Sequence, residues 1–396
     1  MDACRQAVYN EEFAGGILGH FPLNLLLVGD LILDEPEPDR LFDGTRDVLA
    51  RADVLAGHVE VPHTTRGRES SLDIPAPASD PRNLAALARA GFHVATLAGN
   101  HVFDAGPNGV EDTVDALRGH GIQTTGAGMN LDEARRPARV ERDGVRFGFL
   151  SYNCVGPRDS WATAGKAGCA FVKILTHYEL DYAAPGGPPT IYTFPDPVTM
   201  ERMLADIEAE RKQVDVLTVA LHKGIGHMPA TLAMYERTVS KAVIDAGADI
   251  VVGHHAHLLQ GIEVYRNKPI FHGLGNFVTV TKALNIEGNA SPERLAWAHR
   301  RRKLFGFEPD PAYPTFPFHP EAKNAIIGWC QVDGSGVRRA GFHPCWINPD
   351  GSPSVVSESG PGPEVMVYVD KISRESGLTT TFRWDSGTAV FLENPV

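Results

Sequence analysis

Between positions 254 and 257 the chain carries three histidines, His254, His255 and His257, set behind the apolar run Ile250-Val251-Val252 by a single glycine, Gly253. Imidazole is the commonest side-chain ligand of transition metals. Histidines two apart at a strand end converge on one site when the strand gives way to a turn. A polar loop after a strand has the same composition, so this stretch decides nothing alone.

Other apolar runs end in the same kind of residue. Leu23-Asn24-Leu25-Leu26-Leu27-Val28 reads as a buried strand and runs into Gly29-Asp30, with Asp34 and Glu35 close behind. Val54-Leu55-Ala56-Gly57 ends in His58-Val59-Glu60, and strand alternation points His58 and Glu60 to one side. His93 to Ala98 delivers Gly99-Asn100-His101-Val102-Phe103-Asp104. Asp215 to Leu221 ends at His222-Lys223-Gly224. Each piece is ambiguous, since turns use Gly-Asp constantly. Together they make a mixed oxygen and nitrogen set that suits two divalent ions such as Mn, Zn or Fe, not a purely oxygen cage for Ca or Mg.

Two neighbouring ions need a carboxylate between them, and Glu60 is the natural bridge. The chemistry that follows is hydrolysis: one ion lowers the pKa of a water, and the pair clamps the attacking and leaving oxygens. A histidine not spent as a ligand protonates the leaving group. His101 fits that role if Asp104 holds its other ring nitrogen.

The elements that position these groups alternate. Strand, glycine turn, polar cluster and helix recur, with helices expected over 41–50, 83–90, 108–119, 199–211 and 231–246. This predicts an α/β fold with a largely parallel sheet and ligands at the carboxyl ends of its strands. Hairpins are expected at 138–152 around Asp143-Gly144, at 260–272 and at 326–344, with a helix near 362–376. A single domain over 21–396 follows a short arm, 1–20. Two insertions interrupt it. Residues 156–198 read as irregular, and 279–324 carry the basic patch His299-Arg300-Arg301-Arg302-Lys303, either a solvated face or a grip for an anionic substrate.

Composition narrows the class. The 396 residues are 43% hydrophobic and 22% charged, with net charge -12. That is a globular balance, and its sign argues against a nucleic-acid partner. No apolar run approaches the ~20 residues of a membrane helix. The start, Met1-Asp2-Ala3-Cys4-Arg5, lacks the look of a signal peptide, and the five scattered cysteines form no CxxC pair. The expectation is a cytoplasmic protein with reduced thiols and no membrane partner. Oligomeric state is not legible.

The segments Gly29-Asp30, Val59-Glu60, Gly99 to Asp104, Leu221-His222, Gly253 to His257 and Ile270-Phe271-His272-Gly273-Leu274-Gly275-Asn276-Phe277 resemble, in this order, the CapA family. This is the poly-γ-glutamate capsule biosynthesis type within the calcineurin-like metallophosphoesterase superfamily. The resemblance implies a four-layer αββα sandwich with a two-metal site at one end. By it, Asp30 and His257 would hold one ion, and Asn100, His222 and His255 the other. Glu60 would bridge, and His101 would be the acid.

The chain departs from the pattern in places. The superfamily's second ligand after the first Asp is Ile32 here. Glu35 stands where such proteins tend to carry Arg, and His58 where they tend to carry Asn. His222-Lys223-Gly224-Ile225-Gly226 replaces His-Trp-Gly-x-Glu. Glu35, His58, Lys223 and His254 are therefore read as substrate-side residues, and His254 falls outside the usual His-x-His pair. The expectation is a soluble dinuclear-metal hydrolase acting on a phosphoester or an amide or γ-glutamyl-type bond of a small-molecule or short-polymer substrate. Its rival is a non-catalytic, accessory metal-binding protein of poly-γ-glutamate synthesis or export. A third reading keeps the histidines as core residues without metal.

Overall fold

Alternation along the strands sorts the chain into layers. Leu25 and Leu27 face one apolar core, while Leu26 and Val28, their neighbours in the strand Leu23–Leu33, face another. In the strand Val216–Lys223, Val216 and Ala220 join the first core, and Leu217, Val219 and Leu221 join a third. Every such strand is therefore covered on both sides. The computed structural model describes residues 22–68, 77–179, 186–187, 189–281 and 292–393. The expected arm over 1–20 lies outside the described residues, as do 282–291 of the second insertion.

Two sheets enclose the central core. Among the described residues one has ten strands, the other six. Leu25, Leu27, Ala56 and Val94 meet Phe147, Phe149, Ile250 and Phe271 between them. The helices Ala85–Arg89 and Gly106–Gly119 cover the ten-stranded sheet through Leu87, Val110 and Leu117. The helices Pro197–Arg211 and Met234–Asp245 cover the other through Met203, Ile207, Val239 and Val243. The result is a four-layer αββα sandwich. Asp196 caps Pro197–Arg211 by accepting from Thr199 N at 3.1 Å.

The sheets are mixed, not largely parallel. Leu23–Leu33, Val54–Val59, Val94–Thr96 and Gln123–Thr125 run parallel, but Asn324–Asp333 and Gly336–Ile347 extend the same sheet antiparallel. The six-stranded sheet is parallel through Val145–Asn153, Val216–Lys223, Ile250–His255 and Lys268–Leu274, with an antiparallel strand at each edge. The late hairpins can pair antiparallel because a short turn suffices.

One corner ties the sheets together. Lys268–Leu274 belongs to the six-stranded sheet, yet Asn276–Val280 pairs with Leu23–Leu33 in the other. Gly275 makes the turn with φ +62. Its carbonyl accepts from Asp30 N at 2.9 Å, and a Cβ on Gly29 would lie 2.0 Å from that oxygen. Asp30 thus does not end its strand. The strand continues to Leu33, with a register shift after Asp30.

The first insertion is more ordered than its composition predicts. Ile174–Glu179 and Thr190–Pro195 pair as an antiparallel ribbon, and the following helix starts at Pro197. Much of that ribbon is exposed, so its sequence lacks the alternation that marks a half-buried strand. The second insertion carries the helix Pro292–Phe305, which includes the basic patch. Among the described residues no helix is long and apolar enough to cross a membrane. Cys154, Cys169, Cys330 and Cys345 are free and buried.

Candidate metal centre

Where the two sheets meet at that corner, imidazole rings form a row. His254 stacks on His58 at 4.7 Å between centroids, His58 lies 4.8 Å from His222, and His222 lies 4.9 Å from His255. His257 continues the row, 6.5 Å from His255. The backbone makes this possible: His255 and His257 adopt φ +92 and +55. L-residues rarely occupy that region, and those that do gather at functional sites. A regular strand would send His254 and His255 to opposite faces.

The carboxylates lie beside this row. Asp30, Glu60 and His257 bring ligand atoms within 4.8 Å of one another, and so do Asp30, His58 and His222. Asp30 is common to both groups. Its Oδ1 accepts from His254 Nδ1 at 3.1 Å, whereas Oδ2 has no hydrogen-bond partner. His257 donates Nδ1–H to Asn276 Oδ1 at 2.9 Å, which leaves the Nε2 lone pair 3.4 Å from Glu60 Oε1. His222 Nε2 donates to Asn100 Oδ1 at 2.7 Å, and its Nδ1 is left over.

Buried polar atoms normally find partners. Here Asp30 Oδ2, both Glu60 oxygens, His58 Nε2, His222 Nδ1 and His255 Nδ1 are buried without one. Each can present a lone pair, and together they match the mixed donor set of transition-metal sites. The space among them is guarded too. A Cβ on Gly99 would come 3.1 Å from His58 Nε2 and 3.5 Å from His222 Nδ1. The residues present fit divalent ions.

Titration follows the same geometry. Burial, with the neighbouring imidazoles, pushes His58 and His255 down to about 3 and His222 well below its ordinary value. All are held neutral, the form that ligates. Burial alone would raise Asp30, but the His254 hydrogen bond and nearby imidazoles win and hold it low. Glu60 goes the other way, raised by burial and by the Asp30 charge. Two carboxylates this close cannot both ionise cheaply without a cation.

The remaining sequence-derived residues fall in several places. His101 Nδ1 meets Asp104 Oδ2 at 2.7 Å, the pairing expected of an oriented acid. His58 lies inside the donor cluster, not on a substrate-facing wall. His254 is buried and supports Asp30. Asn100 spends its oxygen on His222. Glu60 shares a donor group with His257, but the group that contains His222 is joined to it through Asp30.

Lys223 is the clear correction. It is fully buried, and its ammonium meets Glu236 Oε2 at 2.8 Å, His272 O at 3.0 Å and His272 Nδ1 at 3.3 Å. All three hydrogens are spent, so none reaches a substrate. Glu35 is bound by Arg40 at 3.3 Å, and Arg40 also holds Asp350 at 2.9 Å. Sequence reasoning missed Asn276 as the partner of His257. It also missed His227, which stacks on His257 at 5.2 Å. The available signal was a histidine in the glycine-flanked turn Gly224-Ile225-Gly226-His227 after the strand that carries His222.

The description "Bacterial capsule synthesis protein PGA_cap" matches residues 24–281, which contain every one of these donors. The chain belongs to this family. It is similar to a protein of Mycobacterium tuberculosis named probable polyglutamine synthesis accessory protein, 34% identical over 50% of this chain and 48% of the relative. It is also similar to the capsule biosynthesis protein CapA of Bacillus anthracis, 27% identical over 65% of this chain and 59% of that protein. The match thus spans about half of the first relative's length. Among solved structures, the calcineurin-like phosphoesterase YfkN of Bacillus subtilis is similar at TM-score 0.35 and 13% identity, over 90% of this chain and 98% of that one.

Proposed function

We propose that this member of the PGA_cap family is a hydrolase that works with two divalent ions. The observation that carries the reading is the cluster of buried lone-pair atoms left without hydrogen-bond partners on Asp30, Glu60, His58, His222 and His255. One ion would be held by Asp30, Glu60 and His257, the other by Asp30, His58 and His222, with His255 beside them. Bound there, such ions supply Lewis acidity toward a substrate oxygen and lower the pKa of an attacking water.

The chain's own groups do the rest. His254 fixes the Asp30 carboxylate, and Asn276 and Asn100 fix the rings of His257 and His222. Asp104 accepts the Nδ1–H of His101, so the proton that His101 would pass to the leaving group is the one carried on Nε2 when the ring is protonated. The bond cut is a phosphoester or an amide or γ-glutamyl-type bond of a small or short-polymer substrate. The printed name of the Mycobacterium relative, a probable polyglutamine synthesis accessory protein, supports an amide-bonded polymer as the substrate class.

A panel of phosphomonoesters, phosphodiesters and γ-glutamyl amides, run with added Mn²⁺ or Zn²⁺, tests this. Turnover lost in Asp30→Ala supports it. Metal uptake with no turnover of any class, and unchanged capsule-polymer output in cells carrying Asp30→Ala, would sink it. Metal uptake without turnover but with lost polymer output would favour the second reading, an accessory metal-binding protein, which the printed name of the Mycobacterium relative supports.

A further inference from the structure

His58 is held more tightly than packing alone requires. It lies directly across from Thr96 in the paired strands Val54–Val59 and Val94–Thr96. Thr96 Oγ1 donates to Gly57 O at 3.4 Å, so it accepts the Nδ1–H of His58 at 3.1 Å. This chain of hydrogen bonds sets the tautomer and leaves the lone pair on Nε2. Neighbouring rings hold the plane: His254 stacks on His58 at 4.7 Å with 23° between the planes, and His222 lies 4.8 Å away at 34°.

A buried ring kept only for packing would have both nitrogens satisfied. His58 Nε2 is buried without a hydrogen-bond partner. A Cβ on Gly99 would lie 3.1 Å from it, so glycine there keeps the space beside that atom open.

The two donor groups are chemically unequal. Asp30, Glu60 and His257 offer two carboxylates and one imidazole. Asp30, His58 and His222 offer one carboxylate and two imidazoles, with the ring of His255 4.9 Å from His222 and its Nδ1 unpartnered. Without His58 the second group would be balanced between oxygen and nitrogen. Imidazole suits zinc, and carboxylate oxygen suits manganese.

We infer that His58, anchored by Thr96, makes the position it shares with Asp30 and His222 select zinc over manganese, while the position of Asp30, Glu60 and His257 accepts manganese. The protein then carries two different ions. This rests on the two-ion reading above and goes further by giving the two positions different selectivities.

The test is metal competition on the full chain, stripped with a chelator and dialysed against Mn²⁺ in large excess over Zn²⁺. Elemental analysis reads the content, and Zn²⁺ and Mn²⁺ affinities are measured separately against a competing chelator. The melting temperature of each metal-free variant is recorded. Wild type is expected to hold one zinc and one manganese. Glu60→Gln is expected to keep the zinc and lose the manganese. His58→Asn keeps an oxygen donor but loses the imidazole, and is expected to hold manganese at both positions.

Thr96→Val keeps the ligand and removes its anchor, so zinc affinity is expected to fall about 10–100-fold with manganese affinity at the Glu60 position unchanged. Thr96→Ser keeps the hydroxyl and is expected to restore zinc. A residue that served only the fold would move the melting temperature without moving the zinc-to-manganese ratio.

Two ions of one kind in the wild type, or the wild-type ratio in His58→Asn, would overturn the inference and leave the two-ion reading standing. A wild type that takes up no ion overturns both. Should His58→Asn fail to fold, Thr96→Val decides, and zinc affinity equal to that of wild type overturns the inference.

Discussion

His254 Nδ1 lies 3.1 Å from Oδ1 of Asp30, and Oδ2 of the same carboxylate has no hydrogen-bond partner, with His257 Nδ1 3.6 Å away. The histidine aims the carboxylate, and Asp30 belongs to both donor groups. Asp30→Ala is expected to abolish metal uptake at both positions, whereas Glu60→Gln removes only the position shared with His257. Elemental analysis after dialysis gives the stoichiometries. His254→Phe keeps the stacking on His58 but frees Asp30, and metal affinity should fall about 10–100-fold. Equal stoichiometry for Asp30→Ala and Glu60→Gln would contradict the shared position.

His101 and Asp104 act on the proton, not on the ions. His101→Asn is expected to lower the rate by about 10²–10⁴ with metal content unchanged. Asp104→Asn should lower it by less and alter the pH profile of the rate, because the ring loses its anionic partner. Loss of metal in either variant would move these residues into the ligand set.

Acidification should unfold the metal-free chain early. His58 and His255 titrate at about 3, and His63 and His272 at about 4, all driven down chiefly by burial. Their unfolded value is near 6.5. Between roughly pH 6.5 and 3 the unfolded state therefore binds more protons, and stability falls as pH falls. Glu60, raised by burial, pulls the other way: its contribution is lost as pH rises above the ordinary carboxylate range. Four histidines outweigh one carboxyl on the acid side. Melting temperature should drop steadily below pH 6.5, and a flat profile from 6.5 to 4 would refute this.

Lys223 tests the core separately from the chemistry. Lys223→Met leaves the Glu236 carboxylate buried without its cation, at a cost of about 3–5 kcal/mol. Adding Glu236→Gln removes the stranded charge while keeping an oxygen for Ala233 N, now held at 2.6 Å. The double variant should regain most of the lost melting temperature. A double variant no more stable than Lys223→Met would mean that the lysine matters for something besides neutralising Glu236.

Much of this was readable before any coordinates. Residue types that combine lone pairs with strand ends marked Asp30, Glu60, Asn100, His222, His255 and His257, and continuous apolar runs marked the strands that carry them. What stayed hidden depends on neighbours distant in sequence. Nothing local says that Lys223 points at Glu236 and His272. Nothing local says that Asp30 lies mid-strand, because its strand is prolonged by pairing with Asn276–Val280. His58 looked like a wall residue until His222 and His254 closed on it, and His227 gained meaning only from its stacking on His257.

The left-handed backbone at His255 and His257 sets two demands against each other. A side chain held in that region costs about 1–2 kcal/mol, and glycine would be at ease there. Yet glycine brings no imidazole. His257→Gly should relax that bend yet lower the melting point and cost one ion, because it strips the ring from His227 and Phe318 and leaves Asn276 Oδ1 without its donor. The same ring that strains the bend also fastens it, so heat tolerance is better sought at left-handed positions away from the donors, such as Asn267.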